Sequence, residues 1–166
     1  MAIAELISVE QYLNTSFEHD SEFVEGRIVE RPVPTYEHSE LQGFLVEIMR
    51  PMARRLGMKA LPEQRVQVRP DRFRVPDICV VAERPAWRGV VTVPPHLCIE
   101  ILSPEDRMPD TLQKVAEYLA WGVGWVWIID PSTCTGQTHT RDRILRVEDG
   151  VFSTDLFEID LSAAEL

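Results

Sequence analysis

Two acidic residues stand in segments that are otherwise apolar, and carboxylates in such places can bind a metal ion. Asp77 follows Pro76 at the start of the run DICVVA, and Glu100 lies inside the run LCIEILS. Burying an ionised carboxylate is unfavourable unless a metal, a cation or a hydrogen-bond network satisfies it. Neighbouring strands lie about 4.8 Å apart, so both carboxylates could face one hard cation. Mg²⁺ takes a few carboxylates plus water and phosphate oxygens, which makes this pair a candidate site for metal-assisted hydrolysis.

Each acid also has a purely structural explanation. Asp77 could cap the entry of its strand, and Glu100 could pair with an arginine of a neighbouring strand. Either acid alone is more often structural than catalytic, but two at strand ends of one sheet favour a functional site. The sequence contains no phosphate-cradling glycine loop, no GxSxG and no HExxH motif, so it offers no support for kinase, serine hydrolase or zincin chemistry.

The N-terminal segments predict a short helix and a hairpin. Ser8 and Gln11 have capping-box spacing, which predicts a helix over residues 8–13. The segment EFVEGRIVER alternates in polarity on both sides of Glu25 and Gly26, as a tight β-hairpin does.

A longer helix is predicted over residues 37–56, where apolar residues recur at helical spacing. Pro51 lies inside this range and predicts a kink or a break. Gly57 is a plausible C-terminal stop.

The second half of the chain alternates strands and a helix. EQRVQVRP, VPDICVVA and HLCIEILS are three extended segments, and the last two are apolar enough for strands covered on both faces. A helix follows over TLQKVAEYLAWG, with Asp110 as its predicted cap and Gly122 and Gly124 at its end. GWVWIID is another buried strand, and residues 137–149 predict an outer hairpin. The order predicts an α/β fold, with a mixed central sheet between helices and added hairpins.

Size and composition agree with one globular domain over residues 1–166. Cys79, Cys98 and Cys134 form no CxxC pair, and the first two lie in strand-like runs, so we expect free thiols in a reducing cytoplasm. No apolar run approaches the ~18 residues that span a membrane, and the acidic N-terminal segment lacks the features of a secretory signal.

Several motifs together resemble the Uma-type putative restriction endonucleases, a branch of the PD-(D/E)XK nuclease superfamily. The resemblance includes EFVEGRIV, VPDICVV, LCIEILSP and DTLQKVAEYLAWGVGWVWIIDP. It covers about residues 8–150, which is most of the chain. The resemblance implies the restriction endonuclease-like core, with the element order αβββαβ.

The resemblance also implies roles for particular residues. Asp77 and Glu100 would be the first and second motif acids, and both would bind the metal. The usual motif lysine comes two residues after the second acid, but that position is Leu102 here. In this branch the lysine is thought to come from the following helix, where the matching residue is Lys114. A lysine there would orient or activate the attacking water, or stabilise charge on the phosphate.

Helix geometry leaves the position of Lys114 open. The bulky apolar arc of its helix consists of Leu112, Val115, Tyr118 and Leu119. At about 100° per residue Lys114 flanks this arc, so a solvent-facing lysine is an equal alternative.

Three further residues match the family pattern more weakly. His38 matches a family histidine and could assist proton transfer or bind phosphate, although packing or capping is the simpler reading. Glu22 and Glu25 match an acidic hairpin, and turn acids beside Gly26 are a better interpretation of them than a third metal ligand.

Charge argues against a nucleic-acid partner overall but allows a local contact. The formal net charge is −10, whereas nucleic-acid-binding proteins usually show a basic footprint. A cluster of arginines precedes Asp77 and could contact phosphate, or could form a solvated strand face. Its members are Arg65, Arg69, Arg72 and Arg74.

Three functions therefore compete. The first, which we favour, is a Mg²⁺-dependent endonuclease that hydrolyses phosphodiester bonds in DNA, with Mn²⁺ as a possible substitute and a homodimer as the expected assembly. The second is a catalytically degenerate nuclease fold that serves as a binding module, which the acidic charge and Leu102 support. The third is a structural or self-associating protein, in which a cation neutralises Glu100.

Overall fold

The computed structural model describes residues 6–17, 21–82 and 89–162, which contain three helices and twelve strands. The helices are α1 (Val9–Asn14), α2 (Tyr36–Arg55) and α3 (Met108–Trp121). The strands are β1 (Ser21–Val24), β2 (Arg27–Glu30), β3 (Lys59–Pro62), β4 (Val66–Arg69), β5 (Arg72–Arg74), β6 (Ile78–Val81), β7 (Leu97–Ile101), β8 (Trp125–Asp130), β9 (Thr135–His139), β10 (Ile144–Val147), β11 (Val151–Ser153) and β12 (Glu158–Asp160).

The central sheet has six strands in the order β10-β9-β8-β7-β6-β3. Strands β7 and β8 are parallel, and the other neighbouring pairs are antiparallel. Helix α3 joins β7 to β8 and provides the crossover that a parallel pair requires. The order α2-β3-β6-β7-α3-β8 confirms the αβββαβ core and the predicted mixed α/β class.

The segment EQRVQVRP, one of the three extended segments predicted from the sequence, lies outside the central sheet. This segment forms β4, which belongs to a second, four-stranded sheet in the order β2-β1-β5-β4. The place beside β6 is taken by β3, a four-residue strand too short for its alternation to be visible in the sequence. Periodicity predicts that a segment is a strand, but it does not predict which sheet the strand joins.

Alternation along the central strands supplies two hydrophobic cores. Ile78 and Val80 of β6 pack in one cluster with the buried face of α2. Cys79 and Val81 pack in the other with Val115 of α3. The sheet is therefore covered on both faces, as its apolar runs predicted.

The helices agree with the sequence prediction, except that α2 has no break at Pro51 and α3 begins before Asp110. The Ser8 capping box forms as predicted. Helix α2 is continuous through Pro51, because Pro51 and Glu47, whose carbonyl loses its partner, both face solvent. The prediction of Asp110 as cap was wrong: α3 starts at Met108, since Pro109 favours the first helical turn, and Asp110 lies inside that turn.

The C-terminal part adds two hairpins. Strands β9 and β10 form the predicted outer hairpin at one edge of the central sheet. Strands β11 and β12, which the weak sequence pattern did not predict, form a separate pair. Their Phe152 and Ile159 complete the core on the α2 side. Across the described ranges, no helix combines the length and apolarity that crossing a bilayer needs.

Candidate active site

The register between β6 and β7 brings the two acids of the sequence pattern together. Ile78 lies opposite Ile99 and Cys79 lies opposite Cys98. Continuing this register by one residue places Asp77 across from Glu100, and directly opposite residues share one face of a sheet. Both acids line the same small pocket.

Asp77 is held by donors from three parts of the chain. Its side chain is 4% exposed, and its Oδ1 accepts a close hydrogen bond from the Arg31 guanidinium. Its Oδ2 accepts from the Ile101 amide at 2.6 Å and lies 3.3 Å from His38 Nε2. Burial alone would raise the pKa of Asp77, but His38, Arg31 and the Ile101 amide together lower it. Asp77 is therefore a carboxylate at neutral pH.

The surroundings of Glu100 raise its pKa, whereas those of Asp77 lower the pKa of Asp77. Its Oε1 accepts a hydrogen bond from the Tyr118 hydroxyl at 2.7 Å, and its Oε2 lies 3.5 Å from Lys114 Nζ. Burial raises the pKa of Glu100 to about 7, although the Lys114 charge and the Tyr118 hydrogen bond oppose the rise. The charge of Asp77 adds to the rise.

Lys114 lies at the site rather than in open solvent. Its side chain is 21% exposed, and Nζ lies 3.1 Å from Glu22 Oε1 and 3.5 Å from Glu100 Oε2. Burial lowers the pKa of Lys114, but Glu100 and Glu22 outweigh this effect and raise it. The ammonium is therefore charged, and it connects the second sheet to the central one.

The description of Glu22 as a turn acid was wrong, whereas Glu25 does occupy the turn. Glu22 lies in β1 with only 1% of its surface exposed and accepts from Arg74 at 2.6 Å. Glu25 is in the left-handed region with φ 50° at the hairpin turn. The alternation of EFVEGRIVER contained this signal, because Glu22 and Val24 share one face of the strand.

The arginine cluster before Asp77 is mostly internal rather than a phosphate contact. Arg72 and Arg74 are buried, and both pair with Glu117 of α3. Arg65 lies over the Tyr12 ring, with 4.4 Å between its guanidinium carbon and the ring centroid. Arg69 is exposed, so it alone fits the predicted solvated face.

The pocket beside Asp77 and Glu100 has room for a small cation with a few water molecules. It has a volume of about 50 Å³, enough for several water molecules. Within the described ranges, no group of three or more His, Cys, Asp or Glu side chains could hold a metal together. Two carboxylates completed by water and a phosphate oxygen are nevertheless ordinary magnesium coordination. The carboxylate oxygens have further lone pairs beyond those used by their present donors.

Arg31 and Tyr118 also contact the two acids, and residue patterns gave little reason to select them. Tyr118 belongs to the apolar arc of α3, where a core role is the default. Arg31 follows β2 at the end of a polar alternation, which is typical of a solvent-facing residue.

Removing the charge of Glu100 is expected to stabilise the metal-free protein at alkaline pH. Glu100 has a folded pKa of about 7 against an ordinary value of 4.5, so the folded state holds its proton more tightly than the unfolded chain. The wild-type protein therefore loses stability as pH rises from about 4.5 to about 7. Glu100→Gln does not titrate, so its melting temperature should exceed that of wild type by about 5 °C at pH 8.

The advantage of Glu100→Gln should shrink towards pH 5. Thermal melts in EDTA at both pH values measure the difference, with Glu105→Gln, an exposed acid, as the control. A melting temperature below wild type at pH 8, or a gain that is equal at both pH values, would contradict the assigned electrostatics.

Removing Glu117 is expected to destabilise the fold strongly. Its carboxylate, 11% exposed, accepts from Arg74 Nε at 2.7 Å and more closely from Arg72. Glu117→Leu would leave two buried guanidinium groups short of a partner, which costs about 3 kcal/mol. Urea denaturation should show this loss, whereas the same assay on Asp110→Asn, an exposed acid in α3, should show less than about 1 kcal/mol. Equal midpoints for the two variants would refute a structural role for the cluster.

Comparison with known proteins defines first the class and then the family. The fold matches the crystal structure of a putative nuclease of the DUF820 family from Anabaena variabilis ATCC 29413, with a TM-score of 0.77 and 25% identity over 89% of each chain. The model of the family Uma2, putative restriction endonuclease, matches residues 9–164. The chain therefore belongs to this family, as its motifs indicated. A search of curated proteins found no match. Family and structural neighbour together support a nuclease function.

Proposed function

We propose that this protein is a Mg²⁺-dependent endonuclease that hydrolyses phosphodiester bonds in DNA. The observation that carries the proposal is the convergence of two buried carboxylates and a charged lysine on one pocket, in a chain of the Uma2 family. Asp77 and Glu100 would hold the metal ion, and Mn²⁺ could replace Mg²⁺. When bound, such an ion lowers the pKa of a water molecule and stabilises charge on a phosphoryl oxygen.

The protein side chains supply orientation and charge around that ion. Lys114 Nζ, on the pocket wall, can donate to the attacking water or to a non-bridging phosphate oxygen. His38 Nε2 lies 3.3 Å from Asp77, so His38 would fix the orientation of this ligand. Within the described ranges, its buried Nδ1 has no hydrogen-bond partner.

A cleavage assay tests the proposal. Supercoiled plasmid, linear duplex, single-stranded DNA and RNA are incubated with the protein in Mg²⁺, Mn²⁺ or EDTA. We expect metal-dependent cleavage of a DNA substrate by wild type, and none by Asp77→Asn or Glu100→Gln. Cleavage that survives both substitutions would come from another site or from a contaminant.

A degenerate binding module is the second candidate, and one observation favours it. Arg31 already pairs with Asp77, so this carboxylate has a counter-charge without a metal. This function predicts no turnover with any metal, and partner binding that does not change in Asp77→Asn.

We also propose a homodimer in the cytoplasm. A two-fold dimer would present one site to each strand of a duplex. All three cysteines are free, as in a reducing compartment. Sedimentation analysis at micromolar concentration distinguishes the dimer from a monomer.

A further inference from the structure

Arg31 contacts the proposed metal ligand Asp77 and also lines an open groove beside the site. Its side chain is 15% exposed, and its NH2 makes its closest contact with Asp77 Oδ1. Arg31 and Lys114 both line the small pocket of Asp77 and Glu100. The same two residues line a neighbouring open groove of about 680 Å³, large enough for a piece of a nucleic-acid strand.

Cations already pair with the poorly exposed carboxylates around the site. In the part of the chain that the structure describes, four poorly exposed carboxylates meet four cations at short range. The carboxylates are Glu22, Asp77, Glu100 and Glu117, and the cations are Arg31, Arg72, Arg74 and Lys114. A divalent ion on Asp77 would place its two charges beside the Arg31 guanidinium. Like charges at such distances repel strongly in a poorly hydrated site.

Arg31 has a short route away from Asp77, which Arg74 does not have. Its NH1 already lies 3.9 Å from Glu63 Oε1 at the rim of the small pocket, and the Arg31 side chain also lines the groove. Arg74, by contrast, is enclosed between Glu22 and Glu117. A guanidinium that leaves Asp77 towards the groove presents a planar pair of donors, which suits a phosphate.

We propose that Arg31 is a displaceable cation: it holds Asp77 in the metal-free protein, and metal binding releases it to bind the phosphate of a strand in the groove. This inference rests on the proposed function, since it takes Asp77 as a metal ligand. It assigns Arg31 two consecutive partners, and it couples metal binding to substrate binding.

Two measurements on Arg31→Met test the inference. Met keeps much of the side-chain length without the charge. Calorimetric titration with Mn²⁺ should show about tenfold tighter binding than wild type, because the competitor is gone. Binding of a labelled DNA strand in Ca²⁺, a cation that also uses carboxylate oxygens, should be at least about fivefold weaker. Arg27→Met removes an exposed arginine of the preceding strand and should match wild type in both assays.

The outcomes separate this inference from the proposed function. Mn²⁺ binding by Arg31→Met that equals or falls below wild type overturns the displacement, even if wild type cleaves DNA. Tighter Mn²⁺ binding with unchanged DNA affinity overturns the phosphate contact. Mn²⁺ binding that appears only in Arg31→Met supports displacement. Loss of cleavage in Asp77→Asn bears on the proposed function alone.

Discussion

Asp77→Asn is expected to abolish binding of Mg²⁺ and Mn²⁺ at millimolar concentration. The substitution keeps the size of the side chain but removes the charge that a hard cation requires. The amide also turns one of the two acceptor positions into a donor, which faces Arg31 or the Ile101 amide. We expect affinity to fall by at least about 100-fold, as measured by calorimetry on the purified protein.

A matched control separates a ligand from a general loss of negative charge. Asp106 lines the same pocket, but it accepts from the Ser103 amide at 2.7 Å and is exposed. Asp106→Asn changes the net charge by the same amount. Its metal affinity should stay within about threefold of the wild-type value, because salt screens an exposed charge. Undiminished binding by Asp77→Asn and Glu100→Gln, with loss in Asp106→Asn, would move the metal to the pocket rim.

The acids of the site could be predicted because they break a pattern. Asp77 stands directly before a strand that is apolar on both faces and Glu100 stands inside another, and the antiparallel register then places them opposite each other. A buried charge is rare without a partner. An acid that interrupts an apolar strand therefore indicates a site even in a single sequence. Position 102, where the usual motif lysine would stand, shows no such interruption. Leu102 is apolar there and packs against the core cluster on the α3 face of the sheet.

The cations of the site could not be predicted in the same way. The position of Lys114 depends on the rotation of α3 and on Glu22, which comes from a different sheet. Arg31 reaches Asp77 across 46 residues of sequence. Neither contact leaves a periodic signal, because each is set by the packing of the second sheet against the central one. The membership of β4 in the second sheet leaves no such signal either, since strand identity is local and sheet membership is not.

Lys114→Met is expected to reduce the rate of DNA cleavage by about 100- to 1,000-fold, the usual effect of losing one donor to developing charge. Its Nζ is the charged donor between Glu22 and Glu100, and it faces both the pocket and the groove. Metal affinity should change little, because the substitution removes a positive charge near a ligand but also the charge that favours the ionised form of Glu100. Single-turnover cleavage should therefore slow while the affinity measured by calorimetry stays near that of wild type.

A slower reaction with a nearly unchanged metal affinity distinguishes a role in the reaction from a structural one. Removing Lys114 leaves Glu22 paired with Arg74 at 2.6 Å, so the second sheet keeps its buried ion pair and the fold should survive. Lys59→Met, at an exposed position of β3, controls for the loss of a lysine. Wild-type cleavage by Lys114→Met would make this lysine a structural counter-ion of Glu22 and Glu100. Simultaneous loss of metal binding would mean that Glu100 needs Lys114 to stay ionised at the site.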